Sequence, residues 1–161
     1  MKHTISVLVE NKAGVLSRIS GLYARRGFNI DSLAVGPTED ENISRITLVV
    51  KGDDYIAEQV TKQLNKQIDV IKVRKLDPFE VTRRELALVK VKMLPGQRSE
   101  IIDIVKIMEG KIVDISHTSL TVEMSERPDK VDLLIDLLSP YNIQEVARTG
   151  TVALQKGPET V

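Results

Sequence analysis

The stretch HTISVLVENKAGVLSRISGLYARRG, residues 3–27, decides the fold. Its opening, His3–Glu10, is rich in β-branched residues and reads as a strand. Asn11, Lys12, Ala13 and Gly14 then interrupt the pattern. From there Val15, Leu16, Ile19, Leu22 and Tyr23 recur at helical spacing, which makes one face of a helix from about Gly14 to Arg26 apolar. Gly27 is the natural stop for that helix. A strand that passes through a short glycine turn into an amphipathic helix is the first half of an αβ sandwich.

Reading outward, Phe28–Val35 forms a second strand, ended by Gly36 and Pro37. The acidic turn Glu39–Asn42 leads into a third strand, Ile43–Val50. Asp53 and Asp54 open a second helix, where acidic residues suit the positive dipole end. Ile56, Val60 and Leu64 form its buried stripe, and Asp69–Leu76 is a fourth strand. The order is β-α-β-β-α-β. After a polar connector, Asp77–Arg84, the order repeats: a strand at Leu86–Leu94, a helix through Ile101, Ile104, Val105 and Met108 stopped by Gly110, and strands at Ile112–Ser116 and Ser119–Met124. A helix through Val131, Leu134, Ile135 and Leu138 lies between Pro128 and Pro140, and Ile143–Val146 and Thr151–Leu154 close the chain as strands. The expectation is an α+β protein of two ferredoxin-like (βαββαβ) domains in tandem, residues 1–77 and 84–161. Helices cover one side of each sheet. Val49 beside Arg45 and Thr47, and Ala87, Val89, Val91 and Met93 opposite Lys90 and Lys92, put apolar side chains where a partner would have to cover them. A homo-oligomer is therefore expected.

Composition narrows the function. Among 161 residues, 42% are hydrophobic and 29% charged, with basic and acidic totals equal at 23 each. No net positive field is available to hold a polyanion. The three Tyr and two Phe do not form a mid-strand stacking platform, and Trp is absent, so no nucleic acid is expected as a partner. Cysteine is absent, which excludes disulfides, thiolate nucleophiles and Cys-ligated metals. No apolar run approaches the ~18 residues of a membrane helix, and no secretion signal opens the chain. Cytoplasmic localisation is expected. The two histidines, His3 at what reads as a frayed terminus and His117 between strands, have no carboxylate or second histidine at ligand spacing. Glu10, Asp31, Asp114 and Glu123 could pair across a sheet, but nothing in the sequence selects a pair. The nucleotide-binding, hydrolase and zinc-protease motifs are all missing. No catalytic residue, metal ligand or bound cofactor is expected in this chain.

One loop has chemistry of its own. Glu10–Gly14 delivers a strand to a helix N-terminus, where unpaired N–H groups and the positive dipole end favour an anion. Asn11 adds an amide, Gly14 allows close approach, and a second amide, Asn29, begins the next strand. A free amino acid needs such a set: donors for its carboxylate, acceptors for its ammonium and an apolar wall. Equally, Asn11 could serve as an Asx-turn or N-cap residue and Gly14 as a turn glycine.

Asn11–Ile19 (NKAGVLSRI), Arg25–Leu33 (RRGFNIDSL), Val35–Glu39 (VGPTE) and Gln63–Val73 (QLNKQIDVIKV) resemble the small regulatory subunits of acetohydroxyacid synthase, also called acetolactate synthase. So do Ile112–Ser116, Pro140–Tyr141 and Arg148–Gly150, and the likeness runs in order along essentially the whole chain. The common form of the glycine turn has proline before the glycine; Ala13 stands there in this chain. The resemblance implies an N-terminal ACT domain that binds effector and dimerises, and a C-terminal domain of related fold. It implies a large catalytic subunit as partner, carrying thiamine diphosphate, Mg²⁺ and FAD, whose activity the small subunit raises. It also implies feedback inhibition by a branched-chain amino acid, valine first. The effector-binding residues implied are Asn11, Ala13, Gly14, Val15 and Leu16 from one subunit, with Asn29 and Ile30 from its neighbour. A free-standing ACT sensor of another enzyme, and an enzyme whose site forms across subunits, are the alternatives.

Overall fold

The computed structural model describes all 161 residues and divides into two compact units, Met1–Thr82 with Thr151–Val161, and Arg83–Gly150. The first unit contains β1 (Lys2–Glu10), α1 (Val15–Arg26), β2 (Ile30–Pro37), β3 (Ile43–Lys51), α2 (Asp54–Asn65) and β4 (Val70–Lys75). Its sheet order is β2-β3-β1-β4, antiparallel at each contact. Alternate residues of β1 and β3, Ile5, Val7, Val9, Ile46, Leu48 and Val50, pack against Val15, Ile19 and Tyr23 of α1 and Val60 and Leu64 of α2. The Asp53 carboxylate accepts from the Ile56 N–H at 2.9 Å and so caps α2. His3 is not at a frayed end: it lies within β1 at 6% exposure, because Lys2 already pairs with Lys51.

The other face of this sheet carries Thr4, Ser6, Thr47 and Val49, all buried. The chain's own C-terminus reaches it. Thr151 N–H donates to Ser32 Oγ on β2 at 2.8 Å, and Arg74 on β4 donates to the Thr160 carbonyl at 3.2 Å and pairs with Glu159. Since β2 and β4 are the two edge strands, residues 151–160 cross the sheet from edge to edge. Residues 151–161, expected in the C-terminal domain, thus group with the first unit. Val49, expected to need a partner, is covered at 7% exposure. The sequence pattern conceals this because the tail is bound by backbone groups and charges rather than by an apolar stripe.

The second unit has β5 (Val81–Lys92), whose first two residues still belong to the first unit, α3 (Arg98–Ile107), β6 (Lys111–Ile115), β7 (Ser119–Glu126), α4 (Pro128–Leu138), a short 3₁₀ turn at Ser139–Tyr141 and β8 (Ile143–Arg148). The sheet runs β6-β7-β5-β8. The first residues of β5 fall in the expected polar connector. They are strand because β9 (Val152–Gln155) pairs with β5, and Lys156 N–H donates to Glu80 O at 2.8 Å. Ala87, Val89, Val91 and Met93 are not on an open face: they are the core, packed with Leu120, Val122, Ile101, Val105, Val131 and Leu134. Lys90, Lys92 and Leu88 take the other side, so only scattered apolar groups remain there. The α3 exit also differs from expectation. Glu109 takes the left-handed turn at φ 59°, and Gly110 is needed instead for close approach, since a Cβ there would lie 3.1 Å from Val122. In both units the strand and helix pattern is that of tandem ferredoxin-like folds. No helix is long and apolar enough to cross a membrane.

Candidate functional site

The loop between β1 and α1 is built by two constraints. Glu10 N–H donates to Asp69 O at 2.9 Å, and Asn11 N–H to Asn42 O at 2.7 Å, so the strand end is held by β4 and by the β2–β3 turn. Gly14 then turns at φ 85°, ψ −9°, a left-handed conformation that costs other residues roughly 1–2 kcal/mol. Its carbonyl accepts the Arg18 N–H at 3.0 Å, which starts α1.

The two readings of Asn11 separate here. No side chain caps α1, and no acidic residue sits in its first turn. Asn11 Nδ2 instead donates to the Glu41 carbonyl at 2.8 Å, which fixes the side chain against the β2–β3 turn and not against the helix. Val15 N–H makes only a long bond to Lys12 O, at 3.4 Å. No side chain partners the first-turn N–H groups of α1, and the positive dipole end lies there, which suits a carboxylate.

Two charged residues that the sequence reading missed frame this loop. Arg18 Nε donates to Asp69 Oδ2 at 2.7 Å, and a Cβ on Gly14 would lie 3.2 Å from Arg18 Nη1. Lys12 pairs with Glu10 at 2.9 Å, and that hydrogen bond and charge raise the lysine's pKa. The spacing of Gly14 and Arg18 could have suggested one helical face, but nothing along the chain points to Asp69. Glu10 and Asp31 are each paired with lysine and make no carboxylate pair. No group of His, Asp or Glu side chains converges to hold a metal ion.

Asn11, Ala13, Gly14, Val15 and Leu16 thus form one loop and helix start. Asn29 and Ile30 do not join them within a subunit. Ile30 lies opposite Val50, which lies opposite His3, whereas the loop leaves β1 at Glu10. Residues 3 and 10 are about 23 Å apart along a strand rising ~3.3 Å per residue. Asn29 and Ile30 therefore sit at the opposite end of the sheet from the loop. Between these ends, Leu33 and Val35 on β2 and Leu16 on α1 are exposed at 38%, 46% and 41%. Leu33 and Val35 lie opposite Leu48 and Ile46, on the helix side of an edge strand whose outer edge is unpaired.

Two family models match the chain: "AHAS small subunit-like ACT domain" over residues 5–72 and "Small subunit of acetolactate synthase" over residues 84–157. A probable acetolactate synthase small subunit of Archaeoglobus fulgidus is 52% identical over 157 residues, covering 98% of each chain. The acetolactate synthase small subunit of Mycolicibacterium smegmatis is 48% identical, covering 99% of this chain and 95% of its own. The crystal structure of the acetolactate synthase small subunit from Thermotoga maritima superposes with a TM-score of 0.90 at 40% identity, covering 99% of both chains.

Proposed function

The chain belongs to the family of acetolactate synthase small subunits, and from that premise we propose that it activates a thiamine-diphosphate-dependent catalytic subunit and makes it sensitive to a branched-chain amino acid, valine first. Its role is regulatory and non-catalytic, in branched-chain amino-acid biosynthesis in the cytoplasm. Thiamine diphosphate, Mg²⁺ and FAD belong to the catalytic subunit. The observation that carries this reading is the family match over both halves of the chain.

The effector site in this reading is shared by two copies of the first unit. Two β2 edges docked antiparallel about a two-fold axis would place the Ile30 end of one strand beside the Pro37 end of the other. Pro37 lies opposite Ser44, and Ser44 opposite Val9, so Pro37 is at the level of the Asn11–Leu16 loop. The dimer then brings Asn29 and Ile30 of one copy to the loop of the next. Leu16, Leu33 and Val35 are the apolar surface such docking would bury. The effector carboxylate would take the N–H groups of Val15 and Leu16, Gly14 would leave room for it, and Ile30 would meet the branched side chain. At roughly 0.8 kcal/mol per buried carbon, the extra methyl groups of valine favour it over alanine by on the order of tenfold.

The test is to assay a catalytic subunit with and without this chain, and with added valine. The chain should raise turnover, and valine should inhibit only when the chain is present. Unchanged turnover and KM would overturn the proposal. Activation without sensitivity to valine, leucine or isoleucine would overturn its effector half.

A further inference from the structure

The covered face of the first sheet lies directly behind the effector-proximal end of β2. On β2 the register slips at Asp31: Ile30 is opposite Val50 and Ser32 opposite Val49, so Asp31 is an extra residue. Its carboxylate is held by Lys2 at 2.7 Å and Lys51 at 2.9 Å. This bulge turns the strand over. Ile30 packs on the helix-side core, while Ser32, two residues on, faces the opposite side and accepts the Thr151 N–H.

Thr151 is one residue from a second set of anchors. Thr149 N–H donates to Leu86 O at 3.0 Å and its hydroxyl accepts the Leu86 N–H at 3.1 Å. Arg148 makes two bonds to the buried Glu85, at 2.6 and 3.0 Å, and reaches Asp132 on α4 at 2.8 Å. These groups belong to the second unit, Thr151 and Ser32 to the first. Only Gly150, at φ 81°, separates the two sets.

We infer that the C-terminal tail is a strap that carries effector occupancy from β2 to the second unit, through the Ser32–Thr151 hydrogen bond and the short joint at Gly150. A shift of Ile30 on a ligand moves Ser32 through a single bulged residue. Thr151 must follow or its bond must break, and with one residue of slack the pull arrives at Thr149 and Arg148. The far end of the strap is fixed on β4 by Arg74, so the tail cannot take up the motion by sliding.

The inference rests on the effector reading above, and the experiment separates the two. The full chain is titrated with valine while the Arg148 Nε–H resonance is followed by NMR. Valine should move that resonance in the wild type. Ser32→Ala should bind valine within about threefold of wild type yet leave the resonance still, and Ser32→Thr, which keeps the hydroxyl, should restore the response. Inserting Gly-Gly between Gly150 and Thr151 slackens the strap without touching either anchor and should also silence it. In the assembled enzyme both silent variants should need at least tenfold more valine for half-inhibition. Valine binding that leaves Arg148 unmoved in the wild type, or a Gly-Gly insertion that responds normally, overturns the strap and leaves the effector site standing. No binding of valine, leucine or isoleucine to the wild type overturns the effector reading and the strap with it.

Discussion

Gly14 shows how much one backbone angle can decide. Its left-handed turn leads β1 into α1, and its missing side chain leaves room beside the Arg18 guanidinium, which a Cβ would approach to 3.2 Å. Gly14→Asp should abolish effector binding, because it sets a second carboxylate at the place proposed for the ligand's own. The same Asp would face Arg18, and Asp tolerates positive φ better than most residues, so the fold should lose only about 1 kcal/mol in a denaturant melt. Gly14→Asn adds the same bulk without charge, and a smaller loss of affinity from it by calorimetry would assign the difference to charge. Asp31 makes a pH prediction. Hydrogen bonds from Lys2, then Lys51, hold its carboxyl below the ordinary aspartate value. A depressed folded pKa means that the stabilisation is present above the unfolded value and is lost as pH falls through the folded one. Asp31→Asn should lower Tm at pH 7, with the difference from wild type closing as pH falls below the ordinary aspartate value. A constant difference across that range would show that the ion pairs are not its cause.

Among the elements, the strands and helices were largely legible, because periodicity is local: the α1 and α2 stripes recur at helical spacing and β1 alternates. What could not be read was which side of β5 is core. Ala87, Val89, Val91 and Met93 alternate with Leu86, Leu88, Lys90 and Lys92, and both rows carry apolar groups. Only the docking of α3 and α4 chooses between them. The tail's course was illegible for another reason. Thr151, Glu159 and Thr160 are held by Ser32 and Arg74, partners too distant in sequence for any spacing rule. The β1–α1 loop proposed for the effector was marked in the sequence by its glycine and helix start, whereas the Arg18–Asp69 pair beside it was not, since a single ion pair leaves no pattern. Within the second unit, Glu85 is 5% exposed and depends on Arg148 for its charge. Arg148→Ala leaves that carboxylate buried and unpaired, at a cost of about 3 kcal/mol. Urea unfolding of the full chain should register it, while Arg148→Lys, which keeps charge but loses the paired geometry, should cost less.

For the molecule as a whole, the proposed effector site needs two copies of the chain. Val35→Asp puts a charge in the middle of the exposed edge formed by Leu33 and Val35; if that edge pairs two copies, sedimentation should show the wild type dimeric and the variant monomeric at the same concentration. Effector affinity should fall with it, because binding and association are linked when a site spans the interface. The most direct measurement of that sharing uses two defective chains. Gly14→Asp spoils the loop and keeps Asn29; Asn29→Ala spoils the other contribution and keeps the loop. Each alone should fail to bind valine by calorimetry. Mixed and re-equilibrated, they form heterodimers in which one site joins an intact loop to an intact Asn29 while the other site is doubly defective. If the site is shared, the mixture regains wild-type affinity at one site per heterodimer. A mixture as silent as its two components would contradict that sharing, and would place the whole effector site within a single chain.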